Sequence, residues 1–368
     1  MPIFASRRCF LAVAMAMVIG SASSFVHAKD DPALVWHDVQ EWGIEGKGWN
    51  DTEKFFDRLP ERANGKVPKP VWNLSRHSAG MLVRFKTNAT SIWVDHVVTG
   101  DVTPSPNLTP IAKNGLDLYA TDADGNWKWL SVTRPTKKET KVAIISGLAE
   151  GERSYQIYLP LYNGTESLKI GIPEGASFTP IAPRQEKPLL FYGTSITHGA
   201  SASRPGMPHP AILGRRLNLP VINLGFSGNG RMEKEVGDFL IELDPAVYII
   251  DCLPNMMGGQ VAERAAPLVR QIRAARPDTP IVLVEDRTYA NAPFLPASQK
   301  RHAESRKAFR DAYETLKKEG VTKLWYIEGE KLLGEDREDT VDSSHPSDLG
   351  FWRQANAFEP VLKEALGR

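Results

Sequence analysis

Cysteine is nearly absent from this 368-residue chain: Cys9 and Cys252 are the only two. Cys9 falls in a segment read below as an export signal, so Cys252 is left without a partner in the mature chain. No internal disulfide and no cysteine-based zinc site then remain. An excess of charge of one sign is missing too. With 45 Lys and Arg against 44 Asp and Glu, the formal net charge is +1. The basic residues are scattered, which excludes nucleic acid as a partner, because phosphate binding needs a concentrated basic face. Long hydrophobic runs are lacking: residues 10–19 form a short apolar stretch, too short and too poorly flanked for a stable membrane span, and no later run is longer. No His-Glu-x-x-His segment, EF-hand loop or paired-cysteine motif occurs, so the sequence calls for no metal and no cofactor.

What is present is the composition of a folded protein, 42% hydrophobic and 24% charged. The length points to about two domains. Residues 1–28 read as an export signal. Arg7 and Arg8 give a basic start, the apolar stretch follows, and Val26-His27-Ala28 resembles a small-residue cleavage site. Ser6-Arg7-Arg8-Cys9-Phe10-Leu11 also fits the twin-arginine pattern, with the general secretory route as the alternative. The expected destination is periplasmic or extracellular.

Residues 29–182 carry the signature of strands and turns. The runs 81–85 and 91–95 are β-rich and read as neighbouring strands across a polar link. Residues 116–119 and 127–132 flank Asp124-Gly125, a step that tolerates the positive φ of a hairpin turn. The region is expected to be an antiparallel, jelly-roll-like β-sandwich. Trp36, Trp42, Trp49 and Trp72 either fill its core or stack on sugar rings. A proline-bearing connector, Pro180 to Pro188, closes it. Downstream, over 187–368, compact apolar runs at 189–192, 221–224, 247–251, 281–285 and 324–327 alternate with helical stretches at 261–275, 297–319 and 347–366. That rhythm predicts an α/β fold with a doubly wound parallel sheet, whose chemistry belongs at the carboxyl ends of the strands.

Three of those ends carry suggestive residues. Gly193-Thr194-Ser195 follows the first strand, where a glycine turn presents a hydroxyl beside a helix N-terminus; a helix cap is the rival reading. Asn223-Leu224-Gly225-Phe226-Ser227-Gly228 follows the second and lets a backbone amide approach a ligand, as an oxyanion requires; its spacing is neither a dinucleotide fingerprint nor a P-loop. After the third strand, Asn255 offers a side-chain amide, or is a turn residue. Before the last helix, Asp342-Ser343-Ser344-His345 lets one short loop deliver an imidazole and a carboxylate to orient it, unless it is a solvent-exposed turn. His198 and Arg204 follow the nucleophile candidate closely, as pocket-lining or structural residues. Asp286 and Arg287 read as an ion pair fixing a loop.

In this order the segments resemble the four sequence blocks of the SGNH (GDSL-like) hydrolase family, over most of residues 188–366. The resemblance implies Ser195 as nucleophile and His345 as base with Asp342 as its orienting acid. It also implies Ser195, Gly228 and Asn255 as oxyanion donors. One departure is Thr194, where the family has Asp. Gly115-Leu116-Asp117-Leu118-Tyr119 is similar to the N-terminal domain of a bacterial branch of that family. The implied activity is an exported carboxylic-ester hydrolase, an esterase removing acetyl groups from polysaccharide. A lipase, lysophospholipase or thioesterase with the same triad is the alternative, as is a sugar-binding protein without activity. The sequence leaves the oligomeric state open.

Overall fold

The computed structural model describes residues 32–103 and 105–368; the expected export signal lies outside the described residues. Residues from Leu34 to Arg368 form one compact unit. Among the described residues, nine strands come before the parallel sheet, the last running into the connector: β1 (Leu34–Asp38), β2 (Leu82–Thr87), β3 (Ser91–Val98), β4 (Asp117–Thr121), β5 (Trp127–Val132), β6 (Glu139–Ser146), β7 (Arg153–Tyr158), β8 (Thr165–Pro173) and β9 (Phe178–Ile181). Two short helices, α1 (Lys69–Leu74) and α2 (Pro110–Asn114), interrupt them. The strands build two antiparallel sheets, ordered β1-β8-β3-β6 and β5-β4-β7-β2-β9. Val83 and Phe85 of one sheet and Ile92 and Val94 of the other meet in a common core.

That core corrects one expectation. β2 and β3 are not neighbours: the link between them carries the chain from one sheet to the other. Thr87 Oγ1 donates to the Ser177 carbonyl and accepts from the Ala89 amide. The Ser177 amide in turn donates to Asn88 Oδ1, so the crossing is tied to a third segment and does not close a hairpin. The hairpin between β4 and β5 does form, with Gly125 at φ +81°.

Beyond the connector lie β10 (Leu189–Gly193), β11 (Val221–Gly225), β12 (Val247–Asp251), β13 (Ile281–Val284) and β14 (Leu324–Ile327). Helices α3 (Ser195–His198), α4 (His209–Leu217), α5 (Lys234–Leu240), α6 (Gly258–Ala275), α7 (Pro296–Lys318) and α8 (Asp348–Ala365) alternate with them. The parallel order β11-β10-β12-β13-β14 is the doubly wound, flavodoxin-like arrangement, whose switch point lies at β10 and β12. Leu190 and Tyr192 face one helical layer, and Leu189 and Phe191 face the other. Burial on both faces is why these runs show no polar alternation.

The first of those two cores also takes in Trp49, Leu59, Ala63, Val67 and Val71 from ahead of the connector. Trp49 therefore fills the parallel-sheet core, not the sandwich, with its indole N–H on Glu242 Oε2 at 2.7 Å. Trp72 packs against the same cluster, and Trp42 packs on the sandwich core. Trp36 lies across Gly171, where a Cβ would come within 2.9 Å of its ring.

Candidate functional site

The register of the parallel sheet aligns Gly193 with Gly225 on one side and Asp251 on the other. The three segments that follow these residues therefore leave the sheet at one edge. Gly193 is dictated by crowding: a Cβ there would sit 2.1 Å from Thr197 Oγ1 and 2.8 Å from the Asp251 carbonyl. Thr194 is fully buried and caps α3, accepting weakly from the Ile196 amide at 3.4 Å. Ser195 opens that helix with 7% of its surface exposed.

Ser195 Oγ lies 2.9 Å from His345 Nε2, although 150 residues separate them. His345 Nδ1 lies 2.7 Å from Asp342 Oδ2. The other Asp342 oxygen accepts from the Ser344 and His345 amides at 3.1 and 2.8 Å. Desolvation pushes the Asp342 carboxyl up, but the His345 amide, the His345 ring and the Ser344 amide outweigh it, so the group titrates below its ordinary value. The loop is closed by a Val341 amide bond to the His345 carbonyl and a bridge between Thr340 and Pro346.

Gly228 adopts φ +69°, is exposed, and has open space where a side chain would be. Asn255 Nδ2 donates to the Asn229 carbonyl at 2.7 Å, which docks the third loop on the second. A primary amide carries two hydrogens, so one remains for a ligand. Serine, imidazole, carboxylate, an exposed amide and a side-chain amide thus share one edge of the sheet. This set of groups suits acyl transfer.

His198 and Arg204 both have partners inside the protein, and only Arg204 keeps part of its side chain exposed. His198 is fully buried, its Nε2 2.7 Å from the Leu161 carbonyl and its ring stacked on Tyr162. Burial, then the nearby Arg58 and His77, hold it well below the usual imidazole range. Arg204 is clamped by the Gly115-to-Tyr119 motif: its Nη1 donates to Asp117 Oδ2 at 2.9 Å and also bonds the Tyr119 hydroxyl. Asp117 takes the Gly206 amide at 2.7 Å as well, so the motif fastens the sandwich to the segment after α3. Asp286 and Arg287 stand 4.0 Å apart and find their shorter partners elsewhere, Asp286 in Arg301 and Arg287 in Asp251.

Two residues near the site escaped the sequence reading. Tyr162, from ahead of the connector, donates its hydroxyl to the Ser195 carbonyl at 3.2 Å. Arg301 donates to the Pro254 carbonyl at 2.7 Å. Neither stands in a motif or at a telling spacing. Cys252 is free and fully buried, which pushes its thiol up.

The family model of GDSL-like lipases and acylhydrolases matches residues 186–363, and that of the N-terminus of SGNH-hydrolase-type esterases matches residues 34–178. A crystal structure described as a GDSL-like lipase from Bacteroides ovatus is 34% identical, with 91% of this chain and 98% of that one covered and a TM-score of 0.86. The chain belongs to the GDSL-like lipase/acylhydrolase family. It is accordingly an ester-hydrolysing enzyme. The fold extends to more distant structures. A salicylyl-acyltransferase from a tetracycline biosynthetic pathway is 21% identical over 92% of this chain and 96% of its own, at a TM-score of 0.71. A family two carbohydrate esterase from Cellvibrio japonicus is 12% identical over 92% and 99%, at 0.60. No curated protein matches the chain. Among the described residues no helix is long and apolar enough to cross a membrane.

Proposed function

We propose that this GDSL-like enzyme is an exported serine esterase that deacetylates polysaccharide, with a catalytic part at 187–368 and a supporting sandwich at 29–182. Ser195 Oγ attacks the ester carbonyl while His345 Nε2 takes its proton. Asp342 holds the ring in the tautomer that leaves Nε2 free to accept. The oxyanion rests on the Ser195 and Gly228 amides and the second Asn255 hydrogen. His345 returns the proton to the leaving alcohol, and water attacking the acyl-enzyme repeats the steps in reverse. The observation that carries this reading is the continuous chain of contacts from Ser195 Oγ through His345 to Asp342, at 2.9 and 2.7 Å.

Support for a polymeric substrate comes from the surroundings. A groove of about 1090 Å³, whose lining includes Asn229, Arg231, Gln260, Arg264 and Gln271, opens beside the Asn255 loop. Its charges of both signs suit a neutral polyhydroxylated chain. A family two carbohydrate esterase from Clostridium thermocellum, similar in fold, is solved with cellohexaose. A second reading, an esterase for longer acyl groups, is favoured by the exposed Met257 and Val341, two residues from Asn255 and one from Asp342 in the chain.

Hydrolysis of p-nitrophenyl acetate by the wild type and by Ser195→Ala tests the chemistry. Turnover should fall by roughly 10⁴-fold or more in the variant, and equal rates would defeat the assignment. A series from acetate to octanoate divides the two readings, since a small acyl pocket rejects the longer esters.

A further inference from the structure

The Asn255 loop and the Asp342-to-His345 loop come from distant parts of the chain, and they have a support in common. Arg301 stands in the second turn of α7, partly buried, with its guanidinium between three segments. Nη1 donates to Asp286 Oδ2 at 2.6 Å, and Asp286 is completely buried two residues beyond β13. Nη2 donates to the carbonyls of Pro254 at 2.7 Å and Leu253 at 3.4 Å, the two residues before Asn255. The guanidinium carbon also lies 5.2 Å from the centre of the Tyr289 ring. The amide next to Tyr289, Ala290, donates to the Ser343 carbonyl at 2.8 Å. Ser343 and Ser344 are the residues that space Asp342 from His345.

We infer that Arg301 is a positioning residue for the esterase reaction, a clamp that fixes the Asn255 amide relative to the His345 loop; this rests on the triad and oxyanion assignment above. Charge and shape both recommend an arginine here. A planar guanidinium delivers donors in two directions at once, one edge to a buried carboxylate and the other to backbone carbonyls. Asp286 fixes the orientation of the fork, and the fork fixes the Pro254-Asn255 backbone. Asn255 makes its own bond to the Asn229 carbonyl, so the amide is held from two sides and its second hydrogen keeps one direction. An oxyanion donor acts through placement within a few tenths of an ångström, so a looser loop lowers the rate of the chemical step more than it weakens substrate binding.

The test is a double-mutant cycle on p-nitrophenyl acetate with Arg301→Ala, Asn255→Ala and the pair, with thermal unfolding recorded for each. Arg301→Ala is expected to lower kcat about 10- to 100-fold with KM within about twofold. In the Asn255→Ala background the same change should cost about twofold or less, because the group it positions is gone. Arg301→Lys keeps the charge opposite Asp286 but loses the fork, and should fall between wild type and Arg301→Ala; it carries the cycle if the alanine variant does not fold. Wild-type kcat in Arg301→Ala, or an undiminished loss in the Asn255→Ala background, overturns the clamp. Ser195→Ala is read alongside. If it stays active the nucleophile assignment has failed, whereas a dead Ser195→Ala beside a fully active Arg301→Ala refutes the clamp alone.

Discussion

The two ends of the Ser195–His345 contact are held in opposite ways. On the serine side everything is interior: Thr194, Ile196, Thr197 and His198 are buried to within 1%. Thr197 Oγ1 donates to Asp251 Oδ2 at 3.0 Å, its carbonyl accepts from Asn223 Nδ2 at 2.7 Å, and the buried Arg287 holds Asp251. On the histidine side the loop is at the surface, with the Asp342 side chain 40% exposed, and short-range bonds do most of the holding. The serine is placed by the fold and the histidine chiefly by its own loop. Substitutions of the residues that hold Ser195 should therefore cost stability, and those of the residues that hold His345 should cost activity alone.

Among substitutions of the residues that hold the two ends, Asp342→Asn gives the largest effect and tests the second half of that contrast. The amide keeps an oxygen for the Ser344 and His345 N–H groups, so the loop should survive. It presents N–H to a ring nitrogen that also carries hydrogen, which favours the wrong tautomer. A loss of about 10²- to 10⁴-fold in kcat is expected, with the unfolding temperature unmoved. A matching drop in unfolding temperature would show that Asp342 belongs to the fold after all.

Arg287→Met probes the first half. It strips the guanidinium from Asp251 while both side chains are fully buried, and leaving a buried carboxylate uncompensated costs about 3–5 kcal/mol. Unfolding should begin several degrees earlier, and the fraction still folded at low temperature should retain most of its kcat. Unchanged unfolding beside lost activity would reverse the contrast drawn above.

The sequence made the serine side legible because its constraints are local. Gly193 and Ser195 sit in a strand-turn-helix stretch that physical chemistry reads directly, and unbroken apolar runs announced five strands covered on both faces. What it hid was contact across distance. The run from Trp49 to Val71 looks like part of a sandwich and packs on the parallel sheet, because nothing in an apolar residue names the surface it will cover. β2 and β3 read as neighbouring strands because alternation tells which residues face a core and not which sheet they join. His198 and Arg204 were placed by nearness in sequence to Ser195, yet the last turn of a short buried helix points inward, and Asp117 draws Arg204 toward the sandwich.

The smallest expected effect sharpens the contrast through pH. His198 titrates well below the usual imidazole range, chiefly from burial. A folded-state pKa below the unfolded value contributes stability that is complete above about pH 6.5 and is lost as pH falls, since the unfolded chain takes up the proton the folded one refuses. At pH 5 such a histidine therefore weighs against the folded state relative to pH 8. His198→Gln replaces a titrating donor to the Leu161 carbonyl by one that does not titrate. The variant should be less stable at pH 8, where the stacking on Tyr162 is missed, and should lose less stability than the wild type between pH 8 and pH 5. Denaturant midpoints at the two pH values measure the difference, and parallel losses in both proteins would mean that the acid sensitivity of this fold lies elsewhere than beside Ser195.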